Sequence, residues 1–180
     1  LRLVRDFQRL MVYGIDPDSV ERYASEMTQE LGVEVMISGS TEEIFRQSQF
    51  VATTTPAREP YAKAAWLHAG MHITAMGADG EHKQELFADV LGKADRIVCD
   101  RKSQCFRLGE LHHALKEGVL SEDSDITEIG ELTAGSKTGR QNDQEITICD
   151  LTGVGVQDTA IAVLTYQEAI YRGMGTSFEV

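Results

Sequence analysis

The stretch HITAMGADGEHKQEL, residues 72–86, decides how the chain is read. His72, Ile73, Thr74, Ala75 and Met76 are β-branched, apolar or aromatic enough to favour a short strand. Gly77, Ala78, Asp79 and Gly80 then supply a turn. The residues that follow predict a helix over residues 81–91, with Leu86, Val90 and Leu91 on its buried side. Asp79 therefore falls on the loop just past the C-terminal end of a strand, where open α/β sheets bind ligands. A carboxylate held there between glycines can take or give a proton. The same residue also suits the N-cap of the following helix, and on these residues alone the cap is favoured.

Outward from this stretch, strands alternate with helices. Residues 9–13, 33–37, 50–54, 96–99 and 146–149 are short apolar runs that read as strands. Asp16 and Pro17 open a helix as N-cap and first helical residue. Val20, Tyr23, Ala24, Met27 and Leu31 follow at helical spacing, and Gly32 stops it. A short helix begins at Ser40 with Ile44 and Phe45 facing inward. Residues 57–70 are a connection carrying Trp66 and Leu67. Helices are expected over residues 108–115 and 155–172, and residues 121–144 read as one long polar loop. This alternation predicts an α/β fold with a doubly wound, mostly parallel sheet.

Composition limits the partners. The 180 residues suit one domain or a domain with a short extension, and 42% hydrophobic residues suffice for a core. The net charge of -12, from 29 acids against 17 bases, suits neither nucleic acid nor an anionic membrane surface. Cys99, Cys105 and Cys149 are odd in number and lack CxxC spacing, so neither a disulfide framework nor a zinc site is expected. Cys99 and Cys149 end apolar strands and read as buried thiols. We read the compartment as reducing and cytoplasmic, with no secretory signal and no apolar run long enough to span a membrane.

Four loops follow strand ends, at residues 14–16, 53–56, 77–80 and 150–155, and a parallel sheet gathers such loops at one edge. Thr53, Thr54 and Thr55 offer hydroxyls at a strand tip. The turn through Thr152, Gly153 and Val154 has free N–H groups for an anion or amide, without being a GxGxxG motif. Asp158 reads as a partner of the helix dipole. His112 and His113 are neighbours on a helix, point about 100° apart and do not share one metal. They read as a solvated face, and no metal site is expected. Lys83, near Asp79, suits a phosphate or substrate contact, and exposed ion pairing is the favoured reading.

The blocks VATTTPAREP (residues 51–60), Trp66-Leu67, HITAMGAD (72–79), KQEL (83–86) and ITICDLTGVGVQD (146–158) together resemble the ornithine cyclodeaminase/mu-crystallin family. Residues 73–86 with GELHHA at 109–114 most resemble its ectoine-utilisation EutC-like branch. The resemblance implies a Rossmann domain binding NAD, with NADP possible, set on a second domain that dimerises and completes the substrate site. It implies an ammonia lyase that deaminates and cyclises ornithine or an ectoine-derived diamino acid. It allows an alanine dehydrogenase, a ketimine reductase or a non-catalytic crystallin-like binder instead. Asp79 matches the family's proton-transfer residue. Thr53 and Thr54 match its cofactor-contacting strand end, Thr152, Gly153 and Val154 match the segment beside the nicotinamide, and Gly77 and Asp16 stand as further candidate cofactor contacts.

The chain departs from the family's pattern in two places. The GxGxQA phosphate loop does not occur in these residues. The resemblance therefore implies a Rossmann sheet truncated at its N-terminal side: residues 1–154 form a partial nucleotide-binding domain, and residues 155–180 a helix returning toward the second domain. It also implies that these residues alone bind cofactor poorly and do not turn over. After the strand at residues 9–13, Gly14 stands where NAD-using members place an acid, with Asp16 two residues on and no cation at Ile15 for a 2′-phosphate. That combination reads as NAD.

Overall fold

The computed structural model of the protein describes residues 4–176 and residue 178. Leu1-Arg2-Leu3-Val4 read as the tail of a helix; residues 1–3 lie outside the described residues, and Val4 is an exposed turn residue. β1 (Arg9–Val12) leads to α1 (Pro17–Leu31), which ends at Gly32 as the spacing predicts. Ala24 is its one buried residue, whereas Tyr23, expected inside, is exposed. β2 (Glu34–Ile37) follows, then α2 (Thr41–Gln47), whose N-cap Ser40 hydroxyl accepts the Glu43 N–H at 3.2 Å. β3 (Phe50–Thr53) and β4 (His72–Ala75) flank a connection that packs Trp66 against Phe45, ring centroids 5.8 Å apart.

α3 (Ala88–Gly92) is far shorter than the helix expected over residues 81–91. Residues 81–87 are turn and extended chain, and Leu86 pairs with Ala62 in a parallel bridge. Glu81, Lys83, Gln84, Glu85 and Leu86 favour a helix by propensity, but tertiary hydrogen bonds to the backbone of Gln84, Glu85 and Leu86 hold the segment extended. Leu86, Val90 and Leu91 are still buried, so the apolar positions were legible even though the conformation was not.

β5 (Arg96–Cys99), α4 (Lys102–Cys105) and α5 (Gly109–Lys116) come next. The stretch expected as one loop contains β6 (Ile126–Glu128) and α6 (Ile129–Thr133). β7 (Thr147–Asp150) and α7 (Gly155–Tyr171) close the chain.

All strand pairs are parallel. β1 pairs with β2, and a separate five-stranded sheet has the order β3-β4-β7-β5-β6. This is the α/β class with a parallel sheet read from the alternation, and the Rossmann-like fold that the resemblance implies. The core lies between the five-stranded sheet and α2, α3 and α5, and is built on Phe45, Met71, Ile73, Leu86, Leu91, Leu111 and Ile148. Full burial of such side chains contributes about 1.5–3 kcal/mol each. Cys99, Cys105 and Cys149 are free and buried. No helix among the described residues is long and apolar enough to cross a membrane.

Candidate functional site

The five-stranded sheet ends in a single row. Thr53 is in register with Ala75, Ala75 and Cys99 with Asp150, and Cys99 with Glu128. The ladder continues one step into the loops: the Met76 N–H donates to the Thr53 carbonyl and the Leu151 N–H to the Ala75 carbonyl, both at 2.9 Å. Parallel pairing thus brings the loops after β3, β4 and β7 side by side. The fourth expected loop, carrying Asp16, stands on the other sheet, because among the described residues β1 pairs with β2 alone. There Asp16 is the N-cap residue of α1, and its carboxylate accepts the Ser19 hydroxyl at 2.5 Å rather than a backbone N–H. Tyr13, Gly14, Pro17, Val20, Glu21, Ile37 and Ser38 line a shallow cleft beside it.

Asp79 is exposed on the loop after β4, and its carboxylate accepts the Lys83 ammonium at 2.5 Å. The cap role fails, because no helix starts at residue 81; the ion pair with Lys83 is the one expected. The Lys83 hydrogen bond holds the Asp79 carboxyl below the usual carboxylate range, so it is ionised at neutral pH. Thr53 is buried at the tip of β3 with its hydroxyl unpartnered, and Thr54 beside it is exposed. Gly77 is buried where any Cβ would collide with the Thr55 carbonyl and the Glu85 carboxylate.

Beneath these loops lies a set of buried carboxylates that the sequence did not mark as functional. Glu85 accepts the Thr55 N–H at 2.6 Å, the Thr55 hydroxyl at 2.7 Å and the Tyr61 hydroxyl at 3.0 Å on one oxygen. Its other oxygen accepts the Gly77 N–H at 2.9 Å. Burial, with the Glu85 charge adding to it, raises the Tyr61 phenol above its ordinary range, so it remains a donor. Glu110 accepts the N–H groups of Glu85 and Leu86 at 2.8 and 3.2 Å. Asp150 accepts the Leu111 N–H at 3.0 Å and so caps the start of α5 from the end of β7. Gly109, in the left-handed region at φ 79°, is needed twice there, since a Cβ would also lie 2.7 Å from the Asp150 carboxylate.

Asp100 organises the turn after β7. It accepts the Thr152 and Gly153 N–H groups at 3.0 and 2.7 Å and the Cys105 thiol at 3.0 Å. Gln104 donates to the Thr152 hydroxyl at 2.9 Å, and the Val154 N–H donates to Gln157 at 3.3 Å. The backbone donors expected to meet a ligand at Thr152, Gly153 and Val154 are therefore engaged within the protein. Burial pushes the Glu110 carboxyl up to about 8 and that of Asp150 up to about 7, in each case against the backbone N–H groups they accept. One signal for these residues was available: Cys99-Asp100 and Cys149-Asp150 are matching apolar strand ends closed by an aspartate.

His112 and His113, expected as a solvated face, are half-buried. Their rings bond the carbonyls of Phe106 at 3.3 Å and Lys83 at 2.8 Å, so they are structural. Among the described residues, no group of three His, Cys, Asp or Glu side chains is placed to hold a metal ion.

A model of the ornithine cyclodeaminase/mu-crystallin family matches residues 1–172. An uncharacterised cyclodeaminase of Sinorhizobium fredii is 43% identical over 99% of this chain and 54% of its own length. An archaeal alanine dehydrogenase, solved as a dimer with bound NAD, superposes with a TM-score of 0.89 at 38% identity, over 99% of this chain and 54% of that one. The Δ1-pyrroline-2-carboxylate reductase of Thermococcus litoralis, solved with NADH and L-proline, superposes with a TM-score of 0.94 at 32% identity, over 98% of this chain and 55% of that one. The chain spans about half the length of the curated relatives it matches. With the family match running through nearly every element of the parallel sheet and its loops, the chain belongs to the ornithine cyclodeaminase/mu-crystallin family.

Proposed function

We propose that this chain is the NAD(H)-binding part of an enzyme that works on the carbon–nitrogen bond of a small amino or imino acid. The observation that carries the reading is the ionised Asp79 on the loop after β4, beside the strand tip at Thr53 and the turn after β7. The buried, unpartnered Thr53 hydroxyl fits a polar ligand docking at that tip. Bound there, the dinucleotide would accept and return a hydride. Thr53, Thr54 and Gly77 would meet its nicotinamide end, with Thr152, Gly153 and Val154 shaping the wall through their side chains and carbonyls. Asp16, at the end of β1, would meet a ribose. Asp79, kept ionised by Lys83, takes a proton from the substrate nitrogen or from water and returns it.

Redox-neutral loss of ammonia from ornithine, or from an ectoine-derived diamino acid, is the reading the resemblance favours. Net dehydrogenation or imine reduction is the second reading, supported by the two relatives solved with NAD or NADH. The apolar side chains exposed on α7 (Gly155–Tyr171) support it as a helix that packs on a second domain and belongs to a homodimer. The free thiols agree with a reducing, cytoplasmic compartment.

The test uses the full-length protein with NAD and L-ornithine, L-2,4-diaminobutyrate or L-alanine, following ammonia and reduced cofactor together. Ammonia without net reduced cofactor identifies the lyase, and matching amounts identify the dehydrogenase. Asp79→Asn lowers kcat by about 100-fold or more in either case, because the proton acceptor is lost. Cofactor binding without turnover on any of these, unaffected by Asp79→Asn, would move the assignment to a non-catalytic binder.

A further inference from the structure

Asp79 has little support of its own: it is exposed, and the side chain that braces it is Lys83. Its position is nevertheless defined, because the arch it rides on is pinned at both feet. At one foot, the Gly77 N–H is held by Glu85 at 2.9 Å. At the other, the Lys83 carbonyl is held by His113 at 2.8 Å, and the Lys83 N–H closes onto the Gly80 carbonyl at 2.9 Å. Glu85 is itself immobilised. Its N–H is held by Glu110, its carbonyl accepts the N–H groups of Tyr61 and Ala62, and its side chain is fully buried. The same carboxylate also grips the Thr55 N–H and hydroxyl, two residues beyond Thr53.

We propose that Glu85 is a positioning residue for the reaction: its carboxylate ties the arch carrying Asp79 to the end of β3 and sets where the proton-transfer group stands relative to the bound cofactor. This rests on Asp79 being that group. The chemistry of the clamp is specific to an anion, because every contact to the carboxylate is a donor: three on one oxygen and Gly77 on the other. A glutamine of the same shape keeps the three contacts by placing its oxygen there, and then turns its NH2 group toward the Gly77 N–H, donor against donor. Glu85→Gln therefore releases the arch selectively while the β3 side stays gripped. Gly77→Ala breaks the same contact from the other side, since its Cβ would meet both Thr55 and Glu85.

The experiment is Glu85→Gln in the full-length protein, read by hydrogen exchange at the Gly77 amide and by steady-state kinetics. We expect Gly77 exchange to speed up by about tenfold or more as the anchoring bond is lost. We expect kcat to fall about 100-fold, the loss a displacement of about 1 Å causes, with the NAD dissociation constant changed by less than about threefold. Unchanged Gly77 exchange, or loosened exchange with unchanged kcat, overturns the proposal. So does a fall in kcat matched by an equal loss of NAD affinity, which marks a merely structural residue. If Glu85→Gln does not fold, Glu85→Asp, whose shorter side chain draws the carboxylate back from the Gly77 N–H, decides on the same split, and unchanged kcat there overturns the proposal. Asp79→Asn measured alongside separates the two ideas: if it leaves kcat intact, the role given to Asp79 fails, and Gly77 exchange still reports whether the clamp exists.

Discussion

α5 and α7 are the instructive pair in this molecule. α5 is short and polar, with Glu110, His112, His113 and Lys116 among eight residues, yet Gly109, Glu110, Leu111 and Ala114 are buried. α7 is twice as long and far more apolar, yet none of its residues is buried, and Ile161, Leu164, Tyr166 and Ile170 are each more than half exposed. Apolar content alone would rank them the other way. α5 docks because its first turn offers N–H groups to Asp150 and a carboxylate to the backbone of Glu85 and Leu86, while Leu111 and Ala114 enter the core. Each buried polar group there has a partner, so burial incurs no unmet hydrogen bond. α7 leaves the sheet after a turn held by Asp100, and none of its residues is buried among the described residues.

The largest effect is expected on the α5 side. Glu110→Ala leaves the buried N–H groups of Glu85 and Leu86 without an acceptor and should cost about 3 kcal/mol in urea denaturation. Glu110→Gln, which keeps one acceptor oxygen, should cost less than half of that. A loss below about 0.5 kcal/mol for the alanine variant would place α5 in the same class as an ordinary surface helix.

The next effect is on pH. The folded-state pKa of Glu110 is raised from 4.5 to about 8, and that of Asp150 from 3.8 to about 7. The folded protein then binds these protons more tightly than the unfolded chain does. Their stabilising contribution is complete below the ordinary values and is lost as pH rises through the folded ones. Unfolding free energy should therefore fall as pH rises across that window, with a shallower fall in Glu110→Gln. A flat profile in the unsubstituted protein would show that the backbone donors outweigh burial.

The smallest effect is expected on α7. Leu164→Ser should change the stability of this 180-residue chain by less than about 0.5 kcal/mol, because the side chain is already in water. It should at the same time reduce self-association seen by light scattering, since it interrupts an exposed apolar surface. A loss of several kcal/mol would mean that α7 packs on this chain after all, and the contrast with α5 would collapse.

Much of the fold is legible because local chemistry and final environment agree. Arg9–Val12, Phe50–Thr53, Arg96–Cys99 and Thr147–Asp150 are short apolar runs next to turn residues, and all are strands. Pro17 and Gly32 bound α1 as their backbone preferences require. Legibility fails at residues 81–87, where good helix formers are drawn into extended chain by hydrogen bonds exchanged with Ala57, Tyr61, Ala62 and Glu110. It fails again at β6, whose three residues carry too short a pattern to stand out within a polar stretch.

The site divides in the same way. The sequence by itself determined the strand-end loops, the glycines around Asp79 and its pairing with Lys83, because these follow from residues close together in the chain. Only the tertiary structure decided that Glu85, Glu110, Asp100 and Asp150 lie inside. A carboxylate is placed on the surface by its own solvation and moves into the interior only when distant N–H and O–H groups converge on it. Gly77 and Thr55 do this for Glu85, Leu111 for Asp150, and Thr152 and Gly153 for Asp100. Those donors are brought together by parallel strand pairing over tens of residues, and no local pattern records it.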